Sequence, residues 1–168
     1  AEKQLSEARQ KYSQCENEYA MASMDVKRLE GNISRAQAEK GRLVDEYNRV
    51  NAEEIEAYVP LPEISEEDKV CPLCKRPLDA DVVEERVKAR DAAEHEHRVA
   101  YDKHRAEWQG SKDRRLMDIA DHGKDEVHKI NSFKSARETV VAQMKELEEK
   151  RQFAKKECER LEAFLKQL

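Results

Sequence analysis

The sequence predicts an all-α chain, a long antiparallel coiled-coil hairpin with a Cys-x-x-Cys turn at its apex. Three observations predict it. Of 168 residues, 41% are charged, 38% hydrophobic and only 5% aromatic, which is too little bulky apolar side chain to fill a globular interior of that length. Glycine and proline number four each, too few to punctuate a β-sandwich, a barrel or a repeated βαβ fold. Apolar residues recur instead in alternating steps of three and four toward both ends of the chain, the seam of a left-handed coiled coil. Disorder would show the same charge without that spacing.

The four prolines, Pro60, Pro62, Pro72 and Pro77, fall in one short window, and everything on either side is free of the strongest helix breaker. This divides the chain into an N-terminal coiled-coil arm over 1–58, an apex over 59–78 and a C-terminal coiled-coil arm over 79–168. In the first arm the seam runs Leu5, Ala8, Tyr12, Cys15, Tyr19, Ala22, Val26, Leu29, Ile33, Ala36, Lys40, Leu43, Tyr47, Val50. Only Lys40 in it is charged. In the last part of the chain it runs Ile130, Phe133, Arg137, Val140, Met144, Leu147, Arg151, Ala154, Cys158, Leu161, Leu165, Leu168.

Between about 80 and 128 the seam is poorer. Val83, Val87, Tyr101, Trp108, Leu116 and Ile119 are separated by Arg90, Glu94, His97 and His104, so this stretch reads as a weakly packed helix. Gly110 and Gly123 mark the expected kink or break, near 108–125, because glycine costs about 1 kcal/mol in a helix interior. Two seamed helices joined by a short proline-rich segment satisfy each other by folding back antiparallel. At 1.5 Å per residue such an arm reaches roughly 85 Å. The arms are unequal, so either the longer one overhangs or the 80–128 stretch bulges and lets the good seams meet. The bulged arrangement faces Cys15 to Cys158, Leu5 to Leu168 and Ile33 to Val140, although heptad slips fit as well.

The net charge of -5 is small against 32 basic and 37 acidic residues, and the mixed signs build no field for nucleic acid or anionic lipid. Lys112, Arg114 and Arg115 are the one small basic cluster and read as solvated surface. No apolar run approaches the ~20 residues of a membrane span, and the Ala-Glu-Lys-Gln start lacks the apolar core of a secretion signal. The chain therefore reads as intracellular, nuclear in a eukaryote and cytoplasmic in a prokaryote, with no membrane partner.

The chemistry concentrates in Cys71-Pro72-Leu73-Cys74, whose spacing lets two thiolates grip one zinc ion from a tight turn. Structural zinc takes four ligands. Cys15 and Cys158 lie far down the arms, where seam cysteine behaves as a small hydrophobe. His95 and His97 would sit roughly 30 Å away along a helix. A second copy of the chain completes the site by a two-fold arrangement in which Cys71 and Cys74 of each chain hold one shared Zn. Val70, Pro72, Leu73 and Leu78 would form the small dimer contact around it, with Lys75 and Arg76 offsetting the charge of four thiolates. Other readings stay open: a plain structural rod with an incidental Cys pair, or a thiol oxidoreductase that uses Cys71 and Cys74.

A Cys-Pro-x-Cys at the apex of an antiparallel coiled coil resembles the zinc hook of the Rad50/SbcC family of SMC-like proteins. The resemblance covers the whole chain in architecture, and in motif it rests on Cys71-Pro72-Leu73-Cys74-Lys75-Arg76-Pro77-Leu78. It implies that the arms continue to an ABC-type ATPase head bound to a nuclease partner. It implies further that the hook joins two such molecules while they tether or process DNA ends in double-strand break repair. Other SMC-like ATPases, defence nucleases among them, fit the same segment. No Gly-rich phosphate loop is present, so this segment itself reads as non-enzymatic.

Overall fold

The computed structural model describes residues 1–168. The chain is all-α, with helix α1 over Glu2–Asn51 and helix α2 over Ala80–Gln167; between them lie a long extended segment and a single 3-10 turn over Glu66–Lys69. Neither helix is long and apolar enough in any stretch to cross a membrane. Two compact units are built from these elements, one from 1–46 with 119–168 and the other from 47–118.

In the first unit the two helices pack together along the seams that the 3,4 spacing marks out. Leu5, Ala8, Ala22, Leu29, Ile33, Ala36 and Leu43 of α1 and Ile119, Ile130, Ala154, Cys158 and Leu161 of α2 are buried. The remaining seam positions are half-buried, except for Val50, which is buried, and Lys40, Tyr47 and the terminal Leu168, which are exposed. The helices run antiparallel, since Arg9 pairs with Glu162 at 2.9 Å while Arg151 lies over the Tyr19 ring at 5.2 Å. That second contact explains a charged seam residue. The Arg151 guanidinium rests on an aromatic face and pairs with Glu148 at 2.8 Å, so its stem packs while its charge is satisfied.

The register differs from the one that faces Cys15 to Cys158. Leu5 and Ala8 cluster with Cys158 and Leu161, with Tyr12 and Leu165 against them, a displacement of about one helical turn. The heptad pattern permits several such slips, and local pairs such as Arg9 with Glu162 select among them. None of the four cysteines is in a disulfide.

In the second unit the expectation of an arm reaching residue 58 is corrected. Helix α1 stops at Asn51, Ala52 completes its last turn with N–H to the Asn48 carbonyl at 3.0 Å, and residues 53–64 form a strap along α2 free of regular secondary structure. Lys112 Nζ donates to the carbonyls of Asn51 and Glu53, each at 2.7 Å, and so caps carbonyls the helix end would leave unpaired. Arg115 holds the Glu53 carboxylate with both guanidinium nitrogens, at 2.8 and 2.9 Å. Further along, Tyr101 donates to the Glu56 carbonyl at 2.7 Å, His97 Nε2 to Val59 at 3.0 Å, and Arg90 to Leu61 at 2.6 Å and Pro62 at 3.2 Å. Pro60 and Pro62 keep the residues before them extended and carry no N–H of their own. The one amide between them, that of Leu61, donates to Glu94 Oε2 at 2.7 Å. The carbonyls of Asn51, Glu53, Glu56, Val59, Leu61 and Pro62 and the Leu61 amide are thus met by side chains of α2 instead of by a neighbouring strand.

The strap also accounts for the unequal arms. The steps from Glu53 to Leu61 span about 26 Å at an extended rise of ~3.3 Å per residue. The helix beside them, from Arg115 to Glu94, spans about 32 Å at 1.5 Å per residue, and long side chains bridge the difference. Few extended residues match many helical ones, so no bulge is needed. The expected break near 108–125 is likewise absent: α2 runs unbroken through Gly110 and Gly123.

Candidate metal centre

The Cys turn is built from both sides. On the entry side Ser65 starts the 3-10 turn, its N–H and its hydroxyl both donating to Asp68 Oδ2 at 3.0 Å. Those two bonds hold the Asp68 carboxyl below its ordinary value, the Ser65 amide contributing most. Arg86 of α2 then donates to the Asp68 carbonyl at 2.6 Å. On the exit side Val83 N–H reaches the Asp79 carbonyl at 3.1 Å, which begins α2 with acidic residues at its positive end.

Between these anchors Val70 and Pro77 form an isolated antiparallel bridge. Leu78 N–H donates to the Lys69 carbonyl at 2.8 Å, Cys71 N–H to Arg76 at 2.8 Å and Lys75 N–H to Cys71 at 2.9 Å. Closing so tight a loop requires a left-handed residue, and Lys75 takes that position at φ 57°. Hydrogen bonding from the Cys74 amide first, then from the Leu73 amide and the Cys74 side chain, lowers the Cys71 thiol from the ordinary 9.0, with a smaller contribution from the Arg86 guanidinium.

Lys75 offers a direct test of how far the turn is preorganised. A β-branched residue is penalised in the left-handed region, whereas asparagine tolerates it. Lys75→Val is expected to bind zinc about tenfold more weakly than Lys75→Asn, in a competition titration against a colorimetric chelator. Both variants remove the same charge, so the difference reads backbone conformation alone.

The turn brings Cys71 and Cys74 together and leaves Cys15 and Cys158 in the helix-packed unit. No group of three or more His, Cys, Asp and Glu gathers where it could hold a metal ion, so the two thiols of the turn are what this chain brings. Cysteine thiols are of a type that suits zinc. Of the residues expected around the metal, Val70 and Leu78 are half-buried at the base of the turn, while Pro72, Lys75 and Arg76 are exposed. Leu73 is 94% exposed, an apolar side chain carried into water beside the thiols. No protein-family model, curated protein or solved structure matches the chain.

Some residues passed over in the sequence do work here. Glu94, Tyr58, His97 and Tyr101 form one cluster. The Tyr58 hydroxyl donates to Glu94, its ring lies 5.1 Å from Tyr101 and 5.5 Å from His97, and Arg98 sits 4.5 Å over its face. Lys112 and Arg115, read from sequence as solvated surface, are occupied by the strap. The available signal was the run of hydrogen-bonding residues at seam positions, which suits a partner backbone better than a partner helix.

Proposed function

We propose that this chain is a zinc-dependent homodimerisation module, non-catalytic in itself, of a Rad50-like SMC protein. Cys71 and Cys74 of two copies would together hold one Zn, and bound zinc would supply a four-thiolate bond between the chains. The observation that carries this reading is the turn itself: two cysteines in one tight loop closed by Cys71 N–H to Arg76 and Lys75 N–H to Cys71, at a surface where Cys74 and Leu73 are exposed. Two thiols are half of a closed zinc site, and a second copy under two-fold symmetry is the simplest source of an identical half. Leu73 then buries against its counterpart, while Lys75 and Arg76 face the negative charge of the thiolates. In a longer parent the bond would link two molecules hook to hook, so that ATPase heads and a nuclease partner outside this segment hold DNA ends within one assembly during double-strand break repair.

Native mass spectrometry with and without a strong zinc chelator tests it. A dimer carrying one zinc that becomes apo monomer on chelation is the expected result. A dimer indifferent to chelation and free of metal would overturn it in favour of a plain coiled-coil rod.

A further inference from the structure

We infer that Cys71 and Cys74 are also an oxidisable pair, and that a hydroperoxide converts them within one chain to a disulfide that cannot join a second copy. The part concerning the second copy rests on the zinc reading above; the disulfide does not. Three observations support it. First, Cys71 and Cys74 are separated by two residues within one tight turn, whose Lys75 N–H donates to the Cys71 carbonyl at 2.9 Å, so the chain holds the two thiols in one short loop. Second, the turn is closed behind them by Cys71 N–H to Arg76, Lys75 N–H to Cys71 and the Val70–Pro77 bridge, which keeps the pair together. Third, Cys74 is exposed and Cys71 only half-buried, so a small oxidant reaches both, whereas Cys158 is buried.

The chemistry balances with the hydroperoxide as the only added reactant. The Cys71 sulfur attacks the outer peroxide oxygen, an S–O bond forms and the O–O bond breaks; the departing oxygen takes the thiol proton and leaves as an alcohol, or as water from hydrogen peroxide. The Cys74 sulfur then attacks Cys71, an S–S bond forms and the S–O bond breaks; hydroxide leaves with the Cys74 proton as water. Two thiols are oxidised by two electrons and one hydroperoxide is reduced. Sulfurs bonded to each other in a disulfide are neutral and no longer thiolates, so both metal ligands of that chain are lost in one event. Assembly through this turn would therefore register oxidant as well as zinc, and a thiol reductant would restore it.

The experiment is oxidation of the metal-free full chain with hydrogen peroxide, followed by two readouts. Trypsin releases Val70–Lys75, cut after Lys69 and Lys75, which holds both cysteines in one peptide; the expected product is that peptide lighter by two hydrogens. In native mass spectrometry the oxidised chain given zinc is expected to stay monomeric, and to dimerise after reductant. Oxidised sulfurs that end as sulfinic acid, peptides linked between chains, or thiols left unaltered would overturn the proposal. If the reduced chain does not dimerise with zinc, the zinc reading fails, and the peptide mass still decides whether the pair is oxidisable. In Cys74→Ser the Cys71 sulfenic acid lacks its partner and should be trapped by dimedone; failure of that label would also count against the route.

Discussion

Replacing Cys71 with serine is expected to abolish metal-dependent pairing while leaving the helices intact. A shared site built from two copies loses two of its four thiolates by this single substitution, and structural zinc owes most of its affinity to those bonds. The metal-dependent dimer should weaken on the order of 1,000-fold or more, and Cys74→Ser should match it. Sedimentation equilibrium with added zinc reads the loss. Far-UV circular dichroism should not change, because the turn lies outside both helices and neither thiol is among the buried core residues. Mixing variant with native chain discriminates further: a shared four-thiolate centre predicts a heterodimer with three thiolates that is weaker than the native pair and stronger than the variant pair, whereas contact through helical surfaces predicts no difference. Acid should act in the same direction. The Cys74 and Leu73 amides hold the Cys71 thiol below the ordinary 9.0, so its thiolate persists to lower pH than that of a free cysteine. Protons compete with zinc for that sulfur, so pairing should weaken progressively as pH falls.

Much of this architecture was legible because the coiled-coil code is local and repetitive. The α1 seam could be followed to Val50, which at 2% exposure is the most deeply buried side chain, and the α2 seam from Ile130 to Leu165. The Cys turn was legible for a different reason, since two cysteines at that spacing among clustered prolines leave few other uses. The strap was not. Nothing in Glu53-Glu54-Ile55-Glu56-Ala57 forbids helix. It leaves the helix because Lys112, Arg115 and Tyr101, some 45 to 62 positions later, offer its backbone better partners than a further turn of helix would. Propensity was overridden by contacts that sequence spacing does not encode. The register was obscured by a related degeneracy: a seam repeating every seven residues looks the same after a slip, and individual pairs between the helices choose among the alternatives. The interrupted seam over Arg90, Glu94 and His97 carried the missing information in another form, as hydrogen-bonding capacity where a helix partner would call for leucine.

Glu94 is the residue on which the strap is expected to depend most. Its carboxylate accepts from the Tyr58 hydroxyl and from the only amide between the two strap prolines, and it lies 3.8 Å from Arg90, which in turn donates to the carbonyls of Leu61 and Pro62. Glu94→Ala therefore leaves a half-buried hydroxyl and an amide without their acceptor and frees Arg90 to turn toward water, a larger disturbance than the loss of one bond. Exchange of the Leu61 amide with deuterium should accelerate on the order of 100-fold, with neighbouring strap amides following. Amides of the antiparallel helices over 1–46 and 119–168 should keep their protection, because that unit has its own buried seam. The pH dependence follows from the same contacts. The Tyr58 hydroxyl first, then the Leu61 amide and Arg90, hold the Glu94 carboxyl below the ordinary 4.5, against the opposing effect of burial. A carboxyl depressed in the folded state contributes stability above its unfolded value and loses it as pH falls through the folded value, so strap protection should be flat at neutral pH and collapse only below about 4.5. Unchanged Leu61 exchange in Glu94→Ala would show that the prolines and the other α2 side chains keep the strap in place without this carboxylate. Accelerated exchange would mean that one carboxylate on α2 sets the path of the backbone leading into the Cys turn, and with it the position from which both thiols meet a second chain.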